Sequence, residues 1–136
     1  QILILEDDAE FRLGKHDSFN EVLESFESQL NDIKFDMFYF GGTHEQDKLW
    51  RVSENIFQTK GTGTTGAYII NSRGMKLILR LIKGYSDAID VFYKKSAQQI
   101  LKCYTIMPAL IIQKDSYSDI VQTDVKYNFD RLYTFN

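Results

Sequence analysis

The sequence predicts an α/β fold, in which a sheet with some antiparallel strands is flanked by helices. Short apolar runs with strand character open the chain at residues 2–6 and recur at 35–40 and 67–70. Segments with the apolar spacing of helices lie between and after these runs. Strands and helices that alternate in this way are typical of a layered α/β domain.

The first strand and the first helix have clear local signals. Residues 2–6 begin with four apolar residues, which is typical of a buried strand in an α/β sheet. Ser18 begins the first helix, and Glu21 completes a capping box three residues later. One apolar stripe then predicts a continuous amphipathic helix; its members are Phe19, Val22, Leu23, Phe26, Leu30 and Ile33.

The middle of the chain predicts three further strand regions. Residues 35–40 form a second buried strand, which Gly41 and Gly42 end. Residues 49–57 alternate loosely and predict a more exposed strand or a hairpin. A flexible glycine-containing stretch at 61–63 then leads to the short strand at 67–70.

Two helices and two strands are predicted after residue 70. Ser72 caps a helix that Gly84 stops, and its apolar face consists of Met75, Ile78, Leu79 and Ile82. Ser86 or Asp87 caps a second, short helix through residues 89–93. Residues 103–112 hold two short strands around Pro108, and residues 113–136 show no strong period.

Length and charge restrict the class of protein. The 136 residues fit a single domain, and the net charge of −3 gives no basic face for nucleic acid or for a membrane surface. No apolar run approaches the roughly 18 residues of a membrane span. A lone cysteine, Cys103, favours a reducing compartment and so predicts a cytoplasmic location. Because Gln1 already lies in a strand, the sequence is predicted to be trimmed or to be a piece of a longer chain.

Three carboxylates follow the first strand directly: Glu6, Asp7 and Asp8. Ligand sites in open α/β sheets lie just beyond the carboxyl ends of strands. Crowded carboxylates repel one another unless a cation lies among them, and Mg²⁺ or Mn²⁺ prefers their oxygens. We therefore predict a metal site facing phosphate, with Asp8 as first ligand; the alternative is a set of acids that caps a loop.

The opening resembles a response-regulator receiver domain, which also begins with a strand and an acidic pair that binds Mg²⁺. In that family the next strand ends in the phosphorylated aspartate. Here Asp36 lies at the start of the strand and Gly41 at its end, and the expected lysine–proline pair is missing because Pro108 follows Met107. A degenerate, receiver-like binding module therefore stays as an alternative, and it predicts a five-stranded, all-parallel sheet.

A longer resemblance rests on six short motifs in series. They are residues 3–9, residues 35–42, residues 64–72 with Gly74, residues 89–92, Tyr104 with Pro108 and Gln113, and residues 118–120. In this order they resemble glycosyltransferase family 25, the group that contains lipopolysaccharide-type and collagen galactosyltransferase domains. Each motif alone is weakly specific, whereas the ordered series covers most of the chain.

The resemblance implies a GT-A-like fold and an inverting, metal-dependent transfer. The donor is a nucleotide-diphosphate sugar, with a UDP-sugar such as UDP-galactose expected, and the acceptor is a hydroxyl of a glycan or a protein. The cofactor is Mn²⁺ or Mg²⁺. Family members carry a further N-terminal segment that helps to hold the nucleotide, and this sequence begins after it. An upstream segment or a second copy of the chain is therefore a predicted partner, and an inactive, transferase-like binding module is a further alternative.

The family's active-site acid corresponds to Asp90. An inverting transfer needs a base that takes the proton of the acceptor hydroxyl, and this carboxylate can do so or can instead bind the donor or acceptor sugar. The alternative reading is a carboxylate near a helix start that the helix dipole favours.

The remaining candidates are polar residues at strand ends. His44, Thr65 and Tyr68, together with Glu6 and Asp7, are predicted on the donor side. By the resemblance, the acceptor or donor side is shaped by three further residues, Gln113, Ser118 and Asp119. Each has an ordinary alternative: a solvated histidine, core strand residues, or local turn chemistry.

Overall fold

The computed structural model describes residues 1–14, 16–118 and 122–126. Within them, six strands form one sheet and six more form three two-stranded pairs. In chain order the strands are β1 (Ile2–Leu5), β2 (Ala9–Phe11), β3 (Met37–Tyr39), β4 (Thr43–His44), β5 (Leu49–Arg51), β6 (Ile56–Thr59), β7 (Thr62–Gly63), β8 (Ala67–Ile70), β9 (Cys103–Ile106), β10 (Ile111–Gln113), β11 (Ser116–Ser118) and β12 (Thr123–Val125).

The large sheet is mixed. Its spatial order is β1-β8-β3-β9-β6-β5, in which β3 and β9 run parallel and the other neighbours run antiparallel. The pairs are β2 with β10, β4 with β7, and β11 with β12. The predicted α/β class with antiparallel strands is therefore confirmed. The all-parallel sheet of the receiver-like alternative is not what this chain forms.

The helices flank the large sheet. They are α1 (Phe19–Glu24), α2 (Glu27–Leu30), α3 (Ser72–Leu81), α4 (Ile89–Phe92) and α5 (Gln98–Ile100). A 3₁₀ turn covers Gln46–Lys48, and a π-helical turn at Tyr93–Ala97 joins α4 to α5.

The core lies on both faces of the sheet, because side chains alternate along the central strand β3. Met37 and Tyr39 pack into one cluster, beneath α3 and the α4–α5 region. Phe38 packs on the other face with Phe40, beside the α1–α2 region. The predicted strand at 35–40 is thus buried on both sides. It ends at Gly41, where a Cβ would lie 2.0 Å from the carbonyl oxygen of Ile111.

The predicted continuous helix after Ser18 is wrong, although its cap and its apolar stripe are confirmed. The Ser18 hydroxyl accepts the Glu21 amide at 3.3 Å. The helix breaks after Glu24, where the Ser25 hydroxyl donates to the Val22 carbonyl at 2.6 Å. Such local bonds compete with helix geometry. The stripe still packs on the sheet in two short helices rather than one.

The residues predicted to cap the two later helices are not the ones that do so. Asn71, not Ser72, caps α3, since its side chain accepts the Gly74 amide at 2.8 Å. Neither Ser86 nor Asp87 caps α4, which begins at Ile89 with no side-chain cap. Leu79 is predicted in the apolar face of α3, but it is 66% exposed and is not among the residues of this segment that pack on the core, such as Met75, Ile78 and Ile82.

Strand β1 is not the buried strand that its apolar run predicts. Among the described strands it pairs only with β8, and it therefore lies at an edge of the large sheet. As a result Ile2, Leu3 and Leu5 are each more than 40% exposed. Residues 49–57, by contrast, fall in the β5–β6 hairpin, one of the two predicted forms, with β6 mostly buried.

Candidate functional site

The acidic turn lies where the large sheet meets the β2–β10 pair. The backbone of Glu6 donates to the Gly66 carbonyl at 2.9 Å, which continues the β1–β8 ladder by one residue. The carbonyl of Asp8 accepts the Lys114 amide at 3.0 Å, beside the β2–β10 ladder. The turn is therefore held from two sheets, and its carboxylates lie beyond the carboxyl end of β1.

Gln113 brings two of these carboxylates together. Its Nε2 lies 2.7 Å from Oε2 of Glu6 and 3.3 Å from each carboxylate oxygen of Asp8. The hydroxyl of Thr65 donates to the other oxygen of Glu6, Oε1. Four predicted site residues from distant parts of the chain therefore lie together here: Glu6, Asp8, Thr65 and Gln113.

The oxygen of the Gln113 carboxamide, Oε1, has no such partners among the described residues. The residue is only 6% exposed, and its Oε1 has no hydrogen-bond partner among the described residues. The stem of the side chain is seated against Gly66, where a Cβ would lie 2.7 Å from Cγ of Gln113. Glycine at position 66 is therefore what allows Gln113 to reach the acidic turn.

The third acid of the motif points elsewhere. Asp7 is exposed, and it lies in the turn that follows β1, where the Ala9 amide donates to the Glu6 carbonyl at 3.2 Å. Within the described ranges, no three His, Cys, Asp or Glu side chains form a group that could hold a metal ion. The oxygens that do meet are those of two carboxylates, with a carboxamide beside them, a set whose chemistry suits a hard divalent cation.

Two tyrosines connect this corner to the helix that carries Asp90. The hydroxyls of Tyr68 and Tyr93 lie 3.0 Å apart in the core. Burial raises the pKa of Tyr68 well above its ordinary value, and the neighbouring Tyr93 and the charge of Glu6 add to the effect. Asp90 lies one helical turn before Tyr93 and its Oδ1 accepts the Val91 amide at 2.8 Å. That bond matches the ordinary reading of a helix-start carboxylate, and the role of Asp90 as a base stays a prediction.

His44 lies in a buried hydroxyl-rich cluster. Its Nδ1 is 2.8 Å from the Thr62 hydroxyl, and its Nε2 is 3.4 Å from the Thr105 hydroxyl. Burial lowers the pKa of His44 from 6.5 to about 4, so the ring is neutral at pH 7. The solvated loop histidine of the alternative reading is therefore wrong, because β4 pairs with β7 and folds this ring inward. The contacts named here are to threonines, and a contact of His44 with donor phosphate stays a prediction.

The last two predicted residues lie in the final part of the chain. Ser118 ends β11 and is opposite Thr123 of β12. Asp119 lies outside the described residues.

Sequence reasoning missed three residues that the fold makes important. Gly66 seats Gln113, and Gln98 is fully buried against β7. Asp36 was considered as a phosphorylation position and as part of the motif at residues 35–42; it accepts the Lys102 amide at 2.9 Å and pairs with Arg73. Burial alone raises the pKa of Asp36, but the hydrogen bonds of Lys102, Arg73 and Asn71 and the charge of Arg73 outweigh it and lower the pKa. No local pattern marks Gln98, whereas the Thr-Thr-Gly run did mark the segment that contains Gly66.

The fold and the site define a mixed α/β domain with two converging carboxylates at a strand end. No family model matches this chain, and no curated protein or solved structure matches it either. The likeness to family 25 therefore rests on the ordered motifs alone. Among the helices of the described residues, none is both long enough and apolar enough to cross a membrane.

Proposed function

We propose that this chain is a metal-dependent, inverting glycosyltransferase with a GT-A-like fold. It transfers a sugar from a nucleotide-diphosphate donor to a hydroxyl. The observation that carries the proposal is the convergence of Glu6 and Asp8 on one point beyond β1. Carboxylates in such a position suit a Mn²⁺ or Mg²⁺ ion that binds a diphosphate. The ordered motifs of family 25 favour a sugar nucleotide, UDP-galactose in particular, over other diphosphates.

In this proposal Asp8 and Glu6 hold the cation, and Asp7 is the third acid of the motif. A bound cation neutralises the charge that grows on the departing diphosphate. Thr65 orients Glu6 through its hydroxyl, so that Oε1 of Glu6 is fixed while Oε2 faces the Gln113 nitrogen that also contacts Asp8. Tyr68, whose hydroxyl contacts that of Tyr93 in the core, is assigned to the donor side.

Asp90 is the proposed base. Its carboxylate takes the proton of the acceptor hydroxyl as that oxygen bonds to the anomeric carbon of the sugar. The bond from this carbon to the diphosphate oxygen breaks, and its electron pair leaves with the diphosphate. Attack opposite the leaving group inverts the anomeric configuration. Gln113, Ser118 and Asp119 shape the acceptor or donor side, and His44 supports the donor side from within the fold.

A partner that completes the domain is part of the proposal. In the described part of the chain, the edge of β1 away from β8 pairs with no strand, and β1 carries the exposed Ile2, Leu3 and Leu5. A shallow apolar groove of about 190 Å³ lies between this strand and α3, and Met75, Ile78 and Leu79 are among its lining residues. Unpaired strand edges readily accept a further strand. An upstream segment that adds such a strand would also extend the nucleotide site.

Calorimetry with UDP tests the binding half of the proposal. We expect wild-type protein to bind UDP only with Mn²⁺ present, and Asp8→Asn to weaken this binding about tenfold or more, or roughly 1.4 kcal/mol. Glu10→Gln is the matched control, because it removes an exposed carboxylate two residues away. An affinity for UDP that changes neither when Mn²⁺ is removed nor in Asp8→Asn would refute the proposal.

Release of UDP from UDP-galactose in the presence of a hydroxyl acceptor tests the catalytic half. Asp90→Asn should abolish the release while binding of UDP and Mn²⁺ persists. Binding without any turnover by the wild-type protein would instead identify an inactive, transferase-like module.

A further inference from the structure

Only the nitrogen of the Gln113 carboxamide forms hydrogen bonds within the described residues; the oxygen forms none. Its nitrogen contacts three carboxylate oxygens of Glu6 and Asp8 at 2.7, 3.3 and 3.3 Å. Its oxygen, Oε1, has no hydrogen-bond partner in the described part of the chain, although Gln113 is only 6% exposed. A buried acceptor without a partner is unfavourable, so the unpaired Oε1 needs a physical explanation.

The nitrogen stands where a cation would stand. Two carboxylates that approach one point repel each other, and the partial positive charge of the amide hydrogens offsets that repulsion. Of the two Glu6 oxygens, Oε1 is already taken by the Thr65 hydroxyl, whereas Oε2 faces Gln113. The oxygens that surround Nε2 are therefore those that a divalent ion could use.

The packing around Gln113 allows one simple motion. Its Cγ packs against Gly66, where a Cβ would lie 2.7 Å away, and the residue is only 6% exposed, so the buried stem has little room to shift. The terminal carboxamide can turn by half a rotation without moving any heavy atom far, because its oxygen and nitrogen are nearly the same size. Such a turn exchanges a donor for an acceptor at the centre of the acidic turn.

We infer that Gln113 is a cation-responsive ligand. When Mg²⁺ or Mn²⁺ binds between Glu6 and Asp8, the carboxamide turns over and Oε1 faces the ion as a third oxygen ligand. Without the ion, Nε2 faces the two carboxylates and keeps them together. The inference rests on the proposed function only in that the acidic pair binds a divalent cation; it involves neither a nucleotide nor a transfer step. Carbonyl oxygens of amide side chains are ordinary ligands of hard cations.

A different role for Gln113, in which its nitrogen only clamps the two carboxylates, predicts the opposite change in cation affinity when the amide is removed. If Nε2 only clamps the carboxylates, an incoming ion must displace it, and removal of the amide would tighten cation binding. If Oε1 becomes a ligand, removal of the amide weakens cation binding. Gln113→Met keeps the length of the side chain and removes the carboxamide. Gln113→Glu keeps an oxygen at the same position.

The test is calorimetric titration of the 136-residue chain with MnCl₂ or MgCl₂ alone, without nucleotide. We expect Gln113→Met to weaken binding about tenfold or more, and Gln113→Glu to bind at least as tightly as wild type. Thermal melts without metal show whether each variant folds. Equal or tighter binding by folded Gln113→Met overturns the inference and leaves the acidic metal site intact. A wild-type protein that binds neither ion overturns both this inference and the metal-dependent function.

A second measurement does not depend on the variants. The side-chain ¹H–¹⁵N signals of Gln113 in wild-type protein, assigned by their absence in Gln113→Glu, should shift on saturation with diamagnetic Mg²⁺. The signals of Gln98, which is buried in a separate network, should stay in place. Unshifted Gln113 signals at saturating Mg²⁺ would overturn the inference even if Gln113→Met failed to fold.

Discussion

The carboxamide nitrogen of Gln113 lies 2.7 Å from the carboxylate of Glu6, although 107 residues separate the two along the chain. The contact exists because β10 pairs with β2 in a register that places Gln113 opposite Ala9, one residue after the acidic turn. The same register brings the amide to Asp8. A tertiary pairing thus assembles the site from two ends of the described chain.

Gly66→Ala should disrupt this site without touching any polar group. The added Cβ would lie 2.7 Å from Cγ and 3.1 Å from Cδ of Gln113. We expect a loss of about 1–3 kcal/mol in the free energy of unfolding, as for other overpacked positions. Cation binding, measured by calorimetry with MnCl₂, should weaken as the carboxamide is pushed aside.

A double-mutant cycle separates this clash from a general effect of alanine at position 66. In a Gln113→Ala background the atoms that the new methyl group meets are gone. Gly66→Ala should then change the stability by less than it does in wild type, as urea denaturation can measure. Equal changes in both backgrounds would show that the contact with Gln113 is not the cause.

The stability of the fold should fall between pH 6.5 and pH 4 because of His44. Burial lowers its pKa in the folded state to about 4, whereas the unfolded chain binds the proton near 6.5. The contribution of the neutral ring is complete above pH 6.5 and is lost as the pH falls toward 4. A shift of this size corresponds to about 3 kcal/mol.

Urea denaturation at pH 7 and at pH 4.5 measures this effect. His44→Gln should lose much of the pH dependence, since glutamine does not titrate. His16→Gln removes the other histidine of the chain and should leave the pH dependence in place. A wild-type protein that is equally stable at both pH values would contradict the buried, neutral state of His44.

Gln98→Leu should be among the more destabilising single changes in the core. The Gln98 side chain accepts the Thr62 amide at 2.9 Å and donates to the Thr62 carbonyl at 2.7 Å and to the Tyr39 hydroxyl at 2.9 Å. Leucine has a similar volume but leaves these buried groups unpaired. We expect a loss of about 2–4 kcal/mol in the free energy of unfolding.

The neighbouring Gln99 gives the control for this change. It is exposed, and its side chain donates to the carbonyls of Lys60 and Lys94. Gln99→Leu should cost less than about 1 kcal/mol, because water can replace these bonds. Equal losses in the two variants would mean that helix propensity, rather than the buried network, sets the effect.

Local chemistry was sufficient for some predictions. The α/β class, the buried strand at 35–40 and the cap of the first helix by Ser18 are confirmed, since each depends on residues within a few positions of one another. Prediction was wrong where distant parts of the chain decide. β1 reads as a buried strand but lies at a sheet edge. The break of the first helix at Ser25 is a different case, because it accompanies a local bond from the Ser25 hydroxyl to the Val22 carbonyl.

The features of the candidate site also separate into those that the sequence predicts and those that tertiary structure sets. The sequence by itself determined that Glu6, Asp7 and Asp8 follow a strand and that their charges are crowded, because covalent order fixes this. Only the tertiary structure decided that Glu6 and Asp8 face Gln113 while Asp7 is exposed, and that His44 is buried among threonines. Sheet register places those side chains, and register depends on pairings between segments that are far apart in the chain.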